Sequence, residues 1–99
     1  MSSLNKYIKD INKLCVQHNV KKLYLFGSAL TDNFNENSDV DLIVDFNTIS
    51  VDDYADNYFN FKFSLQDVFK RSIDLLEEQA ISNPYFKKSV LKDRSLIYG

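Results

Sequence analysis

The chain has 99 residues, enough for one small domain with a modest core. Its formal net charge is -2, and its basic runs are no longer than a pair, such as Lys21–Lys22 and Lys87–Lys88. Proteins that bind nucleic acid carry clustered Lys and Arg, so stable nucleic-acid binding is not expected. The single Cys15 excludes an internal disulfide and a four-cysteine metal site. The sequence shows neither a signal-peptide core nor a run of membrane-spanning length, so we expect a cytoplasmic protein without a membrane anchor.

The first half of the chain predicts a helix followed by two strands. Apolar residues at helical spacing predict a helix over about 3–19, capped by Ser2 or Ser3. Lys21–Phe26 predicts a strand that ends at Gly27, and the turn formers over 29–38 predict a loop with room for one helical turn. Asp39–Phe46 predicts a second strand. Its alternation places one set of side chains (Val40, Leu42, Val44, Phe46) on one face and another (Asp39, Asp41, Ile43, Asp45) on the other.

The second half predicts two helices and two short strands. Ser50 is expected to cap a helix over about 51–70, with Phe59 and Phe63 on the side opposite its apolar stripe. A short strand follows over Ser72–Leu76, and then a solvated pair, Glu77 and Glu78. Asn83-Pro84 predicts the start of a helix to about Lys92, and Ser95–Tyr98 an edge strand. The order predicts an α/β (α+β) fold, a small mixed sheet flanked by helices, as one domain over residues 1–99.

Two sequence features point to phosphate chemistry. Gly27 ends a strand and allows close backbone approach to a ligand, and Ser28 opens a turn whose N–H groups and hydroxyl can hold phosphate oxygens. Asp39 and Asp41 are two residues apart on one strand face, where their carboxylates repel unless a cation lies between them. Oxygen ligands suit Mg²⁺ or Mn²⁺. Asp74 could supply a third carboxylate, bridging to a second ion or accepting a proton, if its strand pairs with the Asp39–Phe46 strand.

The run from Phe26-Gly27-Ser28 to Ser38-Asp39-Val40-Asp41 resembles the signature of the DNA polymerase β-like nucleotidyltransferase superfamily. The whole chain is similar to its minimal nucleotidyltransferase (MNT) branch, including the segment around Asp74 and the end at Tyr98. The resemblance implies a polymerase β-like nucleotidyltransferase fold. It also implies an enzyme that transfers a nucleoside monophosphate, AMP from ATP, onto a hydroxyl.

The resemblance also assigns roles to residues and a partner. It implies that Gly27 and Ser28 contact the nucleotide phosphates, that Asp39 and Asp41 bind two Mg²⁺ ions, and that Asp74 is the third carboxylate. It further implies an antitoxin of a toxin–antitoxin pair, which silences a HEPN-domain toxin by adenylylating one of its tyrosines.

Two alternatives stay open from the sequence. The first is transfer to a small molecule, as in aminoglycoside nucleotidyltransferases, which hold the acceptor with an additional helical domain. The second is an antitoxin that only binds, because many relatives carry a basic residue and Gly where this chain has Thr31 and Asp32. The base preference, the acceptor and self-association stay open as well.

The aromatic content predicts a contact surface. The chain has eight Phe and six Tyr without Trp, which is more ring surface than a small core encloses. Phe59 and Phe63 lie one turn apart, opposite the core-facing stripe of their helix. We therefore expect these two residues to belong to a partner interface.

Overall fold

The computed structural model describes residues 7–26 and 39–99. The elements of these residues are, in chain order, α1 (Ile8–Gln17), β1 (Val20–Phe26), β2 (Val40–Phe46), α2 (Val51–Phe69), β3 (Ile73–Glu77), a 3₁₀ turn (Glu78–Ala80), α3 (Pro84–Asp93) and β4 (Ser95–Tyr98). Each helix and strand agrees in type with the sequence prediction, whereas the 3₁₀ turn was not predicted. The start of the first predicted helix and the 29–38 loop lie outside the described residues.

The strands form one mixed sheet in the order β3-β2-β1-β4. β1 is antiparallel to both β2 and β4, whereas β2 and β3 run parallel. The connection from β2 to β3 runs through α2, as a parallel pair requires a crossover. The expectation of a small mixed sheet flanked by helices is confirmed. The condition set for Asp74, that its strand pairs with β2, is met.

The core lies mainly on one face of the sheet, under α1 and α2. Alternate residues of β2 point into it together with Phe61 and Leu65 of α2, neither of which is exposed. The other face carries a smaller cluster, in which Val90 of α3 packs on Tyr24 and Ile43. The predicted division of β2 into two faces is therefore confirmed, and it places Asp41 on the face covered by α3.

The N-cap residues of α2 and α3 are the predicted ones, but only that of α3 makes the predicted side-chain hydrogen bonds. Asn83 caps α3 as predicted, because its side-chain oxygen accepts hydrogen bonds from the N–H groups of Tyr85 and Phe86 at 2.9 and 3.0 Å. Ser50 occupies the N-cap of α2, but its hydroxyl donates to Asp53 at 2.9 Å instead of accepting from a backbone N–H. α2 ends before Lys70, which adopts the left-handed conformation with φ 59°.

Within the described ranges, no helix is long and apolar enough to cross a membrane. α2 is the longest, at 19 residues, and it carries Asp52 and Asp53 in its first turn.

Cys15 should be chemically inert in the folded protein. Its side chain is buried in the main core, and burial raises the pKa of the thiol to about 12. Because the thiolate is the reactive form, we expect Ellman's reagent to modify Cys15 only after denaturant unfolds the chain. Fast modification of the native protein would show that the core under α1 opens readily.

Candidate functional site

The backbone register brings two of the three predicted carboxylates together. Asp41 on β2 and Asp74 on β3 are direct neighbours in the parallel pair. Parallel strands lie about 4.8 Å apart, and the two side chains point to the same face, away from the main core. Asp41 is partly buried and Asp74 is exposed. The pair therefore places two oxygen-donor groups side by side at the sheet surface.

Asp39 lies just before β2 and is exposed. Its neighbour Val40 continues the pairing, because its N–H donates to the carbonyl oxygen of Ser72 at 3.0 Å. Asp39 is therefore at the same end of the sheet as Asp41 and Asp74. Over residues 7–26 and 39–99, however, no three or more His, Cys, Asp or Glu side chains form a group that could hold a metal ion.

The end of β1 lies beside the carboxylates. Phe26 pairs with Asp41 across the antiparallel strands, so β1 ends next to the Asp41 carboxylate. Gly27 and Ser28, the predicted phosphate ligands, follow immediately but lie outside the described residues, as do Thr31 and Asp32. The ring of Phe26 contacts that of Phe86 on α3 edge-to-face, with centroids 6.1 Å apart.

Two tyrosines of α2 reach β3, a contact that the sequence reasoning missed. The hydroxyl of Tyr54 donates to Oε2 of Glu77 at 2.7 Å, and that of Tyr58 donates to the carbonyl oxygen of Leu75. The spacing of four residues assigned both rings to the core-facing stripe. It gave no signal that their hydroxyls reach over the edge of the sheet, because that depends on where β3 packs.

The expectation of a solvated Glu77–Glu78 pair is wrong. Glu77 accepts the hydrogen bond from Tyr54, and Glu78 forms an ion pair with Arg94. The Arg94 guanidinium also lies over the ring of Tyr24, 3.7 Å from its centroid. The two glutamates are adjacent in sequence, but the end of β3 and the 3₁₀ turn direct them to different partners.

Phe59 and Phe63 lie on the outer side of α2, as predicted. They are 49% and 55% exposed, and their rings stack with centroids 6.1 Å apart at an interplanar angle of 28°. Asp56 precedes them by one turn and is exposed. Their exposure is confirmed, whereas their role in an interface remains a prediction.

The chain matches a known family over almost its whole length. The family model described as "Polymerase beta, Nucleotidyltransferase" matches residues 9–99. A protein of Methanocaldococcus jannaschii named "Putative protein adenylyltransferase MJ0128" is 36% identical over 96 residues, which cover 92% of this chain and 93% of that protein. The region matched by the family model includes the four strands described above and the helices α2 and α3.

Solved structures share the fold. One described as "Structure of putative minimal nucleotidyltransferase" superposes with a TM-score of 0.79 at 22% identity, covering 95% of this chain and 92% of that one. One chain of a structure described as "tri-AMPylated Shewanella oneidensis HEPN toxin in complex with MNT antitoxin" matches with a TM-score of 0.65 at 20% identity, covering 100% of this chain and 73% of that one. Because the family model matches residues 9–99, and the mixed sheet with its carboxylate-bearing strands agrees with that match, the chain belongs to the polymerase beta nucleotidyltransferase family.

Proposed function

We propose that the chain transfers AMP from ATP to a tyrosine hydroxyl of a HEPN-domain toxin, as the antitoxin of a toxin–antitoxin pair. The observation that carries the proposal is the register of Asp41 against Asp74, with Asp39 at the entrance to the same strand. Asp is disfavoured in strands. Neighbouring carboxylates on adjacent strands favour a role in binding cations and moving protons over a role in the sheet itself.

Each residue has a defined task in the proposed reaction. The N–H groups after Gly27 and the Ser28 hydroxyl hold the triphosphate. The tyrosine oxygen attacks the α-phosphorus, the bond from that phosphorus to the bridging oxygen breaks, and pyrophosphate leaves. Asp74 accepts the proton of the attacking hydroxyl, a task that suits its exposed position at the sheet edge.

The donor atoms suit Mg²⁺ by their chemistry, although Asp39, Asp41 and Asp74 do not form one three-ligand group among the described residues, so substrate phosphates would complete the set. Asp39, Asp41 and Asp74 offer only carboxylate oxygens, the ligands that hard divalent cations prefer. Asp39 and Asp41 would hold the ions, with Asp74 as the third carboxylate. Bound Mg²⁺ would neutralise negative charge on the triphosphate as the transfer proceeds.

The proposed acceptor rests on the relatives. The relative that is 36% identical is named a protein adenylyltransferase, and one structural neighbour is an MNT antitoxin bound to an AMPylated HEPN toxin. The chain therefore fits modification of a protein better than that of a small molecule. We place the reaction in the cytoplasm, where the lone thiol of Cys15 stays reduced.

Intact-mass spectrometry tests the proposal directly. When the chain is incubated with ATP, Mg²⁺ and a candidate HEPN-domain partner, we expect the HEPN protein to gain the mass of one or more AMP groups. Replacing every modified tyrosine with Phe should abolish the gain. EDTA should abolish it as well, because Mg²⁺ usually shares its ligands with substrate phosphates.

Two results would contradict the proposal. A HEPN protein that binds the chain tightly but never gains mass would identify an antitoxin that acts by binding alone. Transfer of equal rate in EDTA would remove the metal from the reaction.

A further inference from the structure

Asp74 lies on the edge of the sheet, where a strand is least constrained. β3 has five residues, and β2 is its strand neighbour. Edge strands present unpaired backbone groups and exchange more readily with solvent than central strands. Pairing with β2 restrains the inner edge of β3, so a contact from another element to the outer edge would restrict the position of the Asp74 carboxylate further.

The backbone of β3 divides into an inner and an outer edge. The carbonyl of Ser72 accepts from the N–H of Val40 and so faces β2. Because backbone groups of successive residues in a strand point to opposite sides, the carbonyl of Asp74 also faces β2 and that of Leu75 faces away. The Leu75 carbonyl is therefore on the outer edge, next to the residue that carries the carboxylate.

Tyr58 of α2 satisfies this outward carbonyl. Its hydroxyl donates to the Leu75 oxygen, while Tyr54, one turn earlier, donates to the side chain of Glu77. Burial raises the pKa of Tyr58, and the charges of Asp74 and Glu77 raise it further. The phenol thus keeps its proton at neutral pH and remains a donor.

We propose that Tyr58 is a positioning residue for Asp74, which it acts on by fixing the outer edge of β3 from α2. This inference rests on the proposed function for the role of Asp74 in the reaction. The Tyr58 bond is made to the backbone one residue from Asp74. The Tyr54 bond is made to a side chain three residues away, so the two hydroxyls differ in how directly they constrain the carboxylate.

The matched variants Tyr58→Phe and Tyr54→Phe test the difference, since each removes one hydroxyl from the same helix. Misplacement of a reacting group by about 1 Å can cost on the order of 100-fold in rate, and a loosened edge strand should cost less. For Tyr58→Phe we expect kcat to fall by about tenfold with KM for ATP unchanged, and for Tyr54→Phe we expect kcat within about twofold of the parent. Hydrogen exchange of peptides spanning 73–77 should accelerate in Tyr58→Phe more than in Tyr54→Phe.

Several results would overturn the inference. One is unchanged exchange over 73–77 in Tyr58→Phe, and another is an equal loss of kcat in the two variants. A rise in KM for ATP in place of a fall in kcat would also contradict a role through Asp74. An inactive parent would reject the proposed function instead, and the exchange measurement would still decide whether Tyr58 holds β3.

Discussion

Asp41→Asn is expected to abolish most transfer activity without destabilising the protein. A neutral amide is a poor ligand for a hard cation. Losing about 4 kcal/mol of transition-state stabilisation lowers the rate by roughly 1,000-fold. Asp39→Asn should behave in the same way. The measurement is the initial rate of AMP incorporation at saturating ATP and Mg²⁺, compared with the parent protein.

The stability of the same variant separates a catalytic from a structural carboxylate. Asp41 and Asp74 are register neighbours, and their repulsion without metal costs about 1 kcal/mol at most, because Asp74 is exposed to solvent. Removing one charge should leave the melting temperature in EDTA equal to that of the parent or higher. A structural Asp would instead cost about 1–3 kcal/mol through the partners it leaves unsatisfied.

Asp45→Asn is the matched control for this experiment. Asp45 is on the same strand and the same face as Asp41, but four residues further along. Its Oδ1 atom is 3.5 Å from Nε2 of Gln79, away from Asp39, Asp41 and Asp74. We expect its activity to stay within about twofold of the parent. If Asp41→Asn melts well below both proteins in EDTA, the carboxylate stabilises the fold and the catalytic interpretation of β2 fails.

The double variant Phe59→Ser/Phe63→Ser is expected to lose partner binding while keeping its fold. The two rings are about half exposed, so a partner can still bury roughly half of their surface. Full burial of a Phe side chain is worth about 1.5–3 kcal/mol, so burying half of each ring leaves about 1.5–3 kcal/mol for the pair. The dissociation constant of the complex with the HEPN protein should rise by about 10- to 150-fold. Calorimetry with the purified partner measures it.

Val51→Ser is the control for this surface. Val51 is on the same helix and is 91% exposed, so its replacement removes an apolar side chain without touching the stacked pair. Partner affinity of this variant should stay within about twofold. If the double variant binds as tightly as the parent, the stacked rings are not part of the interface. If it unfolds, they contribute to the core through the contact of Phe59 with Tyr58.

The sequence by itself determined the elements, the two faces of β2 and the family. Alternation over Asp39–Phe46 assigned Asp41 to the face opposite Leu42 and Val44, because side chains alternate along any strand. Asn83-Pro84 fixed the start of α3 through a local cap. The signature from Phe26 to Asp41 indicated the family that the match over residues 9–99 confirms.

Only the tertiary structure decided which carboxylate stands beside which, and what holds them there. Asp74 is 33 residues from Asp41 in the chain, and its register depends on how α2, which connects β2 to β3, packs on the face of the sheet. The hydroxyls of Tyr54 and Tyr58, and the separate partners of Glu77 and Glu78, likewise depend on the position of the sheet edge. Local sequence patterns do not indicate these contacts, because the partner of each side chain depends on which groups tertiary packing brings within hydrogen-bonding distance.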